Sequence, residues 1–275
     1  MKLYANNKVL DLSTPQIMGI LNFTPDSFSD SGQFFALDKA LFHVESMLNA
    51  GATIIDIGGE STRPMAEEVT LEQELARVIP VVEAVRQNFD CWISVDTSKA
   101  EVMKEAARVG MDLINDIRAL REPNALLTAA ELDLPVCIMH MQGEPRTMQQ
   151  NPYYEDVVAE VFAFLQTRSA ECISAGIRQE NIIWDMGFGF GKNVVHNYKL
   201  LQNLAHFCAA GFPVLAGLSR KSMIGNVLDK AVKDRVVGSV AGALIAVMHG
   251  AAIVRVHDIE HTADALKIWQ ATMNA

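Results

Sequence analysis

The 275-residue chain lacks an excess of positive charge, patterned cysteines and any long apolar run, and each absence narrows what the protein does. Against 33 Asp and Glu stand 23 Lys and Arg, a formal net charge of -10, so the phosphates of a nucleic acid would be repelled overall, although a local basic pocket is still allowed. The four cysteines, Cys91, Cys137, Cys172 and Cys208, show neither metal-ligand nor redox spacing; two lie inside apolar runs, and all four read as reduced core residues. No apolar run approaches the roughly 20 residues that cross a bilayer, and no basic segment followed by an apolar one opens the chain. The expectation is a cytoplasmic protein with neither a nucleic-acid nor a membrane partner. No composition shift marks a linker, and no fixed period marks a solenoid.

What the chain does contain is a globular balance, 50% hydrophobic and 20% charged, over a length that suits one large core. The stretch Ile182 to Lys192, IIWDMGFGFGK, sets the pattern: a short apolar run ends in Asp185, and Gly187, Gly189 and Gly191 alternate with Phe188 and Phe190 before a lysine. It reads as a buried strand delivering a carboxylate to a binding face, or, taken alone, as a tight turn. The same grammar recurs along the chain. Apolar runs end at Asn22, Asp56, Asp96, Asn115, His140, Asp185, Ser219 and the segment Arg255 to His257. Between them lie helical spacings over Asp38 to Ala50, Leu71 to Gln87, Lys99 to Val109, Asn124 to Leu132, Tyr153 to Ala175, Asn197 to Ala209, Asp234 to His249 and Glu260 to Met273, several closed by a glycine such as Gly51.

About eight strand-then-helix units, with strands apolar throughout, predict a (β/α)8 TIM barrel, α/β in class, as a single domain over residues 1–275. An open doubly wound sheet is the alternative and would place its ligand at a switch point. In a barrel the functional groups sit at the C-terminal strand ends and in the loops that follow. Asp96, Asn115 and Asp185 would then form an acceptor-rich cluster suited to a flat ligand edge carrying several N–H groups. Each alone is more often a helix cap or a strand-end turn residue, and it is convergence from three strands that favours the site.

A second constellation is cationic: Arg63, Arg220, Lys221, Arg255 and His257, with Asn22 beside it, able to hold a phosphate or pyrophosphate. Arg255 and His257 alternate on one strand and so share a face, and an unpaired arginine in such a strand is too costly to be casual. Ser222, in SRKSMIG, falls near a helix start, where backbone N–H groups favour an anion; it is equally an ordinary N-cap. Lys221 also fits a Schiff-base nucleophile. The long polar loops NFTPDSFSD and GGESTRP read as lids, and Phe28 and Phe190 as ring-stacking candidates or packing plugs.

Taken in order, MGILNFTPDSFSD, DIGGESTRP, SVDTSK, LINDI, MHMQGEPRTMQ, the glycine loop from Asp185 to Lys192, GLSRKSMIG and VRVHD resemble the bacterial dihydropteroate synthase family over essentially the whole chain. The chain departs from that pattern at Met186, where the family usually has proline, and at Met65 and Phe23. The resemblance implies a pterin-binding TIM barrel, a transferase of folate biosynthesis that joins 4-aminobenzoate to 6-hydroxymethyl-7,8-dihydropterin diphosphate and releases diphosphate. By motif it implies Asp96, Asn115, Asp185 and Lys221 for the pterin, and Asn22, Thr62, Arg63, Arg255 and His257 for the diphosphate. It implies Phe28, Pro64, Phe190, Lys221 and Ser222 for 4-aminobenzoate, where sulfonamides compete. Asp96, Lys221 and Arg255 would carry the chemistry, Mg2+ would be held at Asn22, and the protein would be a homodimer. Other readings kept open are a pterin-dependent methyltransferase, a Lys221 Schiff-base lyase and a non-catalytic pterin-binding protein.

Overall fold

Eight parallel strands close on themselves. In the computed structural model, which describes residues 1–24, 32–60, 69–144, 147–148 and 151–275, the hydrogen-bonded order returns the last strand, Ile253–Val256, to the first barrel strand, Gln16–Asn22. The intervening strands are Ile54–Gly58, Trp92–Asp96, Leu113–Asp116, Val136–Met139, Ile182–Asp185 and Val214–Ala216, each paired with its neighbour in sequence. Closure of the ring decides for the barrel over the open sheet. Most of these strand residues are buried, as strands covered on both faces must be.

The helices form for local reasons that the packing then exploits. In the helix Leu71–Asn88, Thr70 and Gln73 make a reciprocal capping box, and Val78, Val81, Val82 and Val85 form its buried stripe. Asp156 caps Val157–Ser174 by accepting from two backbone N–H groups. Observed boundaries differ from those expected by a few residues in most elements. The helix expected from Asp38 begins at Gly32, the one expected from Tyr153 begins at Val157, and the span Asn197 to Ala209 divides into Val194–Gln202 and Leu204–Cys208.

The sequence reading passed over an antiparallel hairpin, Lys2–Ala5 with Lys8–Asp11, turning through Asn6 and Asn7, both at positive φ. Its Leu3, Ala5 and Leu10 are buried. Asn181, just before the strand Ile182–Asp185, holds both polar groups of the Tyr4 backbone, and Asn6 donates to the Met111 carbonyl just before Leu113–Asp116. These contacts set the hairpin against the N-terminal ends of the strands, leaving the opposite, C-terminal end for the site. Cys91, Cys137, Cys172 and Cys208 are free, and the first three are buried.

Candidate active site

Strand register explains which side chains meet. Residues two apart on a strand share a face, and at the C-terminal end Asn22 is level with Gly58, Gly58 with Asp96, and Asp96 with Asn115. Gly58 supplies no side chain between Asn22 and Asp96; a Cβ there would lie 3.6 Å from both the Asn22 Oδ1 and the Asp96 Cβ. One layer deeper, Asp56 is level with Ser94 and completely buried. Across the barrel Asp185 ends its strand, and Gly217 opens the space between its carboxylate, the Arg255 stem and the Lys221 ammonium, each 3.9 Å from a Cβ placed there.

Asp56 organises this end of the barrel, and the sequence reading missed it as a site residue. Its carboxylate accepts from the Ser94 hydroxyl at 2.6 Å, from the Asn115 amide at 3.3 and 3.2 Å, and from Arg255 Nε at 2.6 Å. Arg255 also donates to Asp96 Oδ2 at 3.0 Å. The arginine in the IVRV strand is therefore paired twice, which resolves how its charge is tolerated so far inside. The signal that could have found Asp56 was its place as one more carboxylate at a strand end; nothing local separates it from a turn residue.

The ionisable groups are perturbed in ways that follow from burial. Loss of solvent pushes the Asp96 carboxyl up to about 7, with Asp56, Asp116 and Glu74 adding to the rise and Arg255 opposing it. Burial also raises Asp185, against the pull of Lys221, the Gly187 N–H, Lys192 and Arg255. Burial brings Lys221 down to about 8, with Asp185 as its main opposing charge. Arg255 is raised: its two carboxylate neighbours outweigh desolvation.

Around Asp185 the loop backbone is tightly specified. Asp185 Oδ1 accepts from the Gly187 N–H at 2.7 Å. Gly187 has φ +67°, and a Cβ there would meet the His140 carbonyl oxygen at 1.9 Å; at Gly191 the obstacle is the Gln142 carbonyl at 2.3 Å. At both positions glycine is required by the close approach of the protein's own preceding loop. Met186 is wholly buried in the main core, so where the family usually has proline this chain packs a flexible apolar side chain instead.

Lys221 donates to the Phe188 carbonyl and lies 4.7 Å over the Phe190 ring, itself packed among Met139, Met141 and Met148. Ser222 is the first residue of the helix Ser222–Leu228 and is exposed; the N-cap position belongs to Lys221, so Ser222 is not the cap. His257 sits just past its strand, its N–H and Nδ1 within 3.1 and 3.0 Å of the Ser219 hydroxyl. Asn22 is exposed at the end of its strand. Arg220 departs from the expected cationic cluster, because its guanidinium is taken by Asp258 through two hydrogen bonds. Thr62, Arg63, Pro64 and Phe28 lie outside the described residues, as do most of the two loops read as lids. The structure thus brings together Asp96, Asn115, Asp185, Lys221 and Arg255 around Asp56 and Gly217, with Asn22, Phe190, Ser222 and His257 at strand ends or in the loops after them.

Such a site offers carboxylate and amide acceptors interleaved with two cations, and an aromatic face beside a lysine. Comparison with known proteins agrees. The family described as "Pterin binding enzyme" matches residues 18–257. A dihydropteroate synthase of Haemophilus influenzae is 76% identical over 275 residues, covering 100% of both chains. Among solved structures, the dihydropteroate synthase of Yersinia pestis in a sulfonamide drug complex superposes with a TM-score of 0.95 at 55% identity, covering 100% of both chains. That of Xanthomonas albilineans with 4-aminobenzoic acid superposes with a TM-score of 0.94 at 46% identity, covering 100% of this chain and 98% of that one. Strand-end chemistry, barrel closure and full-length identity converge, and the chain belongs to the pterin-binding enzyme family, among its dihydropteroate synthases.

Proposed function

We propose that this barrel transfers the 7,8-dihydropterin-6-methyl group from its diphosphate ester to the amine of 4-aminobenzoate, giving 7,8-dihydropteroate and diphosphate. The observation that carries the reading is the mouth itself, where Asp185, Asn115 and Asp96 converge from three strands with Arg255 and Lys221 set among them. Asp185 and Asn115 accept from and donate to the guanidine-like edge of the pterin. Asp96 faces the methylene carbon and, when ionised, stabilises the cation that forms there as the C–O bond breaks. Arg255, His257, Asn22, Thr62 and Arg63 receive the departing diphosphate. Phe190, Phe28, Pro64 and Ser222 hold 4-aminobenzoate with Lys221, whose charge suits the ring carboxylate. The arylamine attacks the pterin methylene and then loses a proton, so one C–O bond is exchanged for one C–N bond.

The donor chemistry fits Mg2+. Asn22 presents a hard amide oxygen at an exposed strand end, and Mg2+ commonly takes one or two protein oxygens and completes its shell with substrate phosphates and water. Bound there with the diphosphate, it would supply neutralisation of the leaving group's charge.

The reading includes a homodimer, supported by the exposed apolar side chains Val237, Ile245 and Met248 on the helix Val236–Met248. It also includes the cytoplasm as compartment, in keeping with four free cysteines. Incubation with dihydropterin diphosphate, 4-aminobenzoate and Mg2+ tests the reaction. Diphosphate release that requires the arylamine is expected; release independent of it would refute the transfer.

A further inference from the structure

We infer that Lys192, which touches none of the reacting groups, is a positioning residue that fixes the 4-aminobenzoate side of the site; the inference rests on the function proposed above. Lys192 is only 2% exposed. Its Nζ lies 2.9 Å from the Gly187 carbonyl, 3.0 Å from that of Phe190, 3.2 Å from that of His140, and 3.0 Å from His140 Nδ1. These four acceptors come from two loops, one after the strand Val136–Met139 and one after Ile182–Asp185. Burying an amine so deeply is unfavourable unless its donors are met; burial pushes Lys192 well below the ordinary lysine range, with Asp185 opposing, and in either protonation state every hydrogen on it has an acceptor in reach. Burial first, and the lysine's charge second, push His140 down to about 2, so its ring is neutral and Nδ1 is free to accept.

The bonded carbonyls are those of the loop that shapes the site. Gly187, Gly189 and Gly191 all have positive φ, so this segment has an unusually wide conformational choice to lose. Its other anchors include Gly187 N–H to Asp185 Oδ1 at 2.7 Å, Gly189 N–H to Asn197 Oδ1 at 2.7 Å, Phe190 N–H to the Gly187 carbonyl at 3.0 Å, and the Tyr154 hydroxyl to the Gly191 carbonyl at 2.9 Å, but none of these reaches the Phe190 carbonyl. Lys192 pulls the carbonyls of Gly187 and Phe190 inward. Between them, the Phe188 carbonyl is left to receive the Lys221 ammonium, and the Phe190 ring lies under it. A chain of contacts therefore runs from His140 through Lys192 and the loop backbone to Lys221. An apolar residue of similar length would fill the space but take this donor from the Phe190 and His140 carbonyls, while the Gly187 carbonyl would keep only the Phe190 N–H at 3.0 Å.

Steady-state kinetics of Lys192→Met beside the unaltered protein tests this. Arylamine-dependent diphosphate release by the unaltered protein is expected. In the variant, the KM for 4-aminobenzoate should rise about tenfold while kcat at saturation stays within about threefold, the pattern of lost uniform binding. A folded Lys192→Met protein of lower thermal stability and unchanged KM would show a purely structural lysine and overturn the inference. Should that variant fail to fold, His140→Ala removes one acceptor and leaves the three carbonyls in place. A KM rise of about threefold is then expected, and an unchanged KM would overturn the inference equally. If the unaltered protein released no diphosphate in response to the arylamine, the functional reading would fall first, and this inference with it.

Discussion

Replacing Asp56 by Asn preserves the shape of a fully buried side chain and removes its charge, which makes it a sharp test of how the barrel mouth is held. The carboxylate receives three donors: Ser94 at 2.6 Å, Asn115 at 3.3 and 3.2 Å across its two oxygens, and Arg255 at 2.6 Å. An amide has one oxygen, and its NH2 would be turned toward either Asn115 Nδ2 or the guanidinium, donor against donor. Removing one partner of a buried ion pair costs about 3–5 kcal/mol. Arg255 keeps Asp96 at 3.0 Å and its side chain is 19% exposed, so the lower end of that range, about 3 kcal/mol, applies. For a chain of this size that corresponds to a fall in Tm of about 6–12 °C. Urea unfolding should show a lower midpoint at unchanged slope, and calorimetry should show weaker pterin binding because Asn115 loses the acceptor that orients it. Combined with Arg255→Met, the loss should be smaller than the sum of the two single losses by about 1 kcal/mol or more. A cost for Asp56→Asn below about 1 kcal/mol, or strict additivity with Arg255→Met, would refute the account of the mouth as a charge-coupled unit.

The remaining expectations concern binding, pH and assembly. Asp185→Asn should weaken pterin diphosphate binding by about 1.5–3 kcal/mol, because an acceptor of two charge-assisted bonds becomes half donor; unchanged affinity in calorimetry would remove Asp185 from the pocket. Asp96, pushed up to about 7, is about one-tenth ionised at pH 6 and about nine-tenths at pH 8, so affinity for an uncharged hydroxymethylpterin should rise about tenfold across that window. The sign follows from the raised value: below it the carboxyl is protonated and can accept less. Asp96→Asn should flatten the profile, and a slope that survives the substitution would assign it to another group. Val237, 75% exposed, and Met248, 64% exposed, share a helix, so Val237→Glu with Met248→Glu should shift a dimer to a monomer in analytical ultracentrifugation. An unaltered mass would exclude that helix as the interface.

Much of the fold was legible because its signals are local. Each barrel strand is a short apolar run, and the long helices carry a 3.6-residue stripe, capped by a side chain at Thr70, Asp156 and Asn193, so order and type could be read without knowing what packs on what. The hairpin Lys2–Ala5 with Lys8–Asp11 escaped because two four-residue strands, polar on one side, carry too little periodicity to register. Asp96, Asn115 and Asp185 were readable as strand-end polar residues. Arg220 was placed with the other cations, and only its bond to Asp258, 38 residues away, removes it from them. Lys192 gave no signal, since a lysine after a glycine loop ordinarily faces solvent.

By itself, then, the sequence determined the alternation of strand and helix and which polar types stand at the strand ends, because each depends on neighbours within a few residues. The barrel, expected from that alternation, was decided over the open sheet by closure of the last strand on the first. Tertiary structure alone decided which of those groups are partners. Asp56 and Arg255 are 199 residues apart and meet only because the last strand closes on the first. Likewise two of the four acceptors around the Lys192 amine belong to His140, 52 residues earlier, and Gly187 and Gly191 are required by carbonyls of its loop that the sequence does not place there. Burial, charge pairing and perturbed pKa values are properties of that closed ring, and they exist in no segment of the chain taken alone.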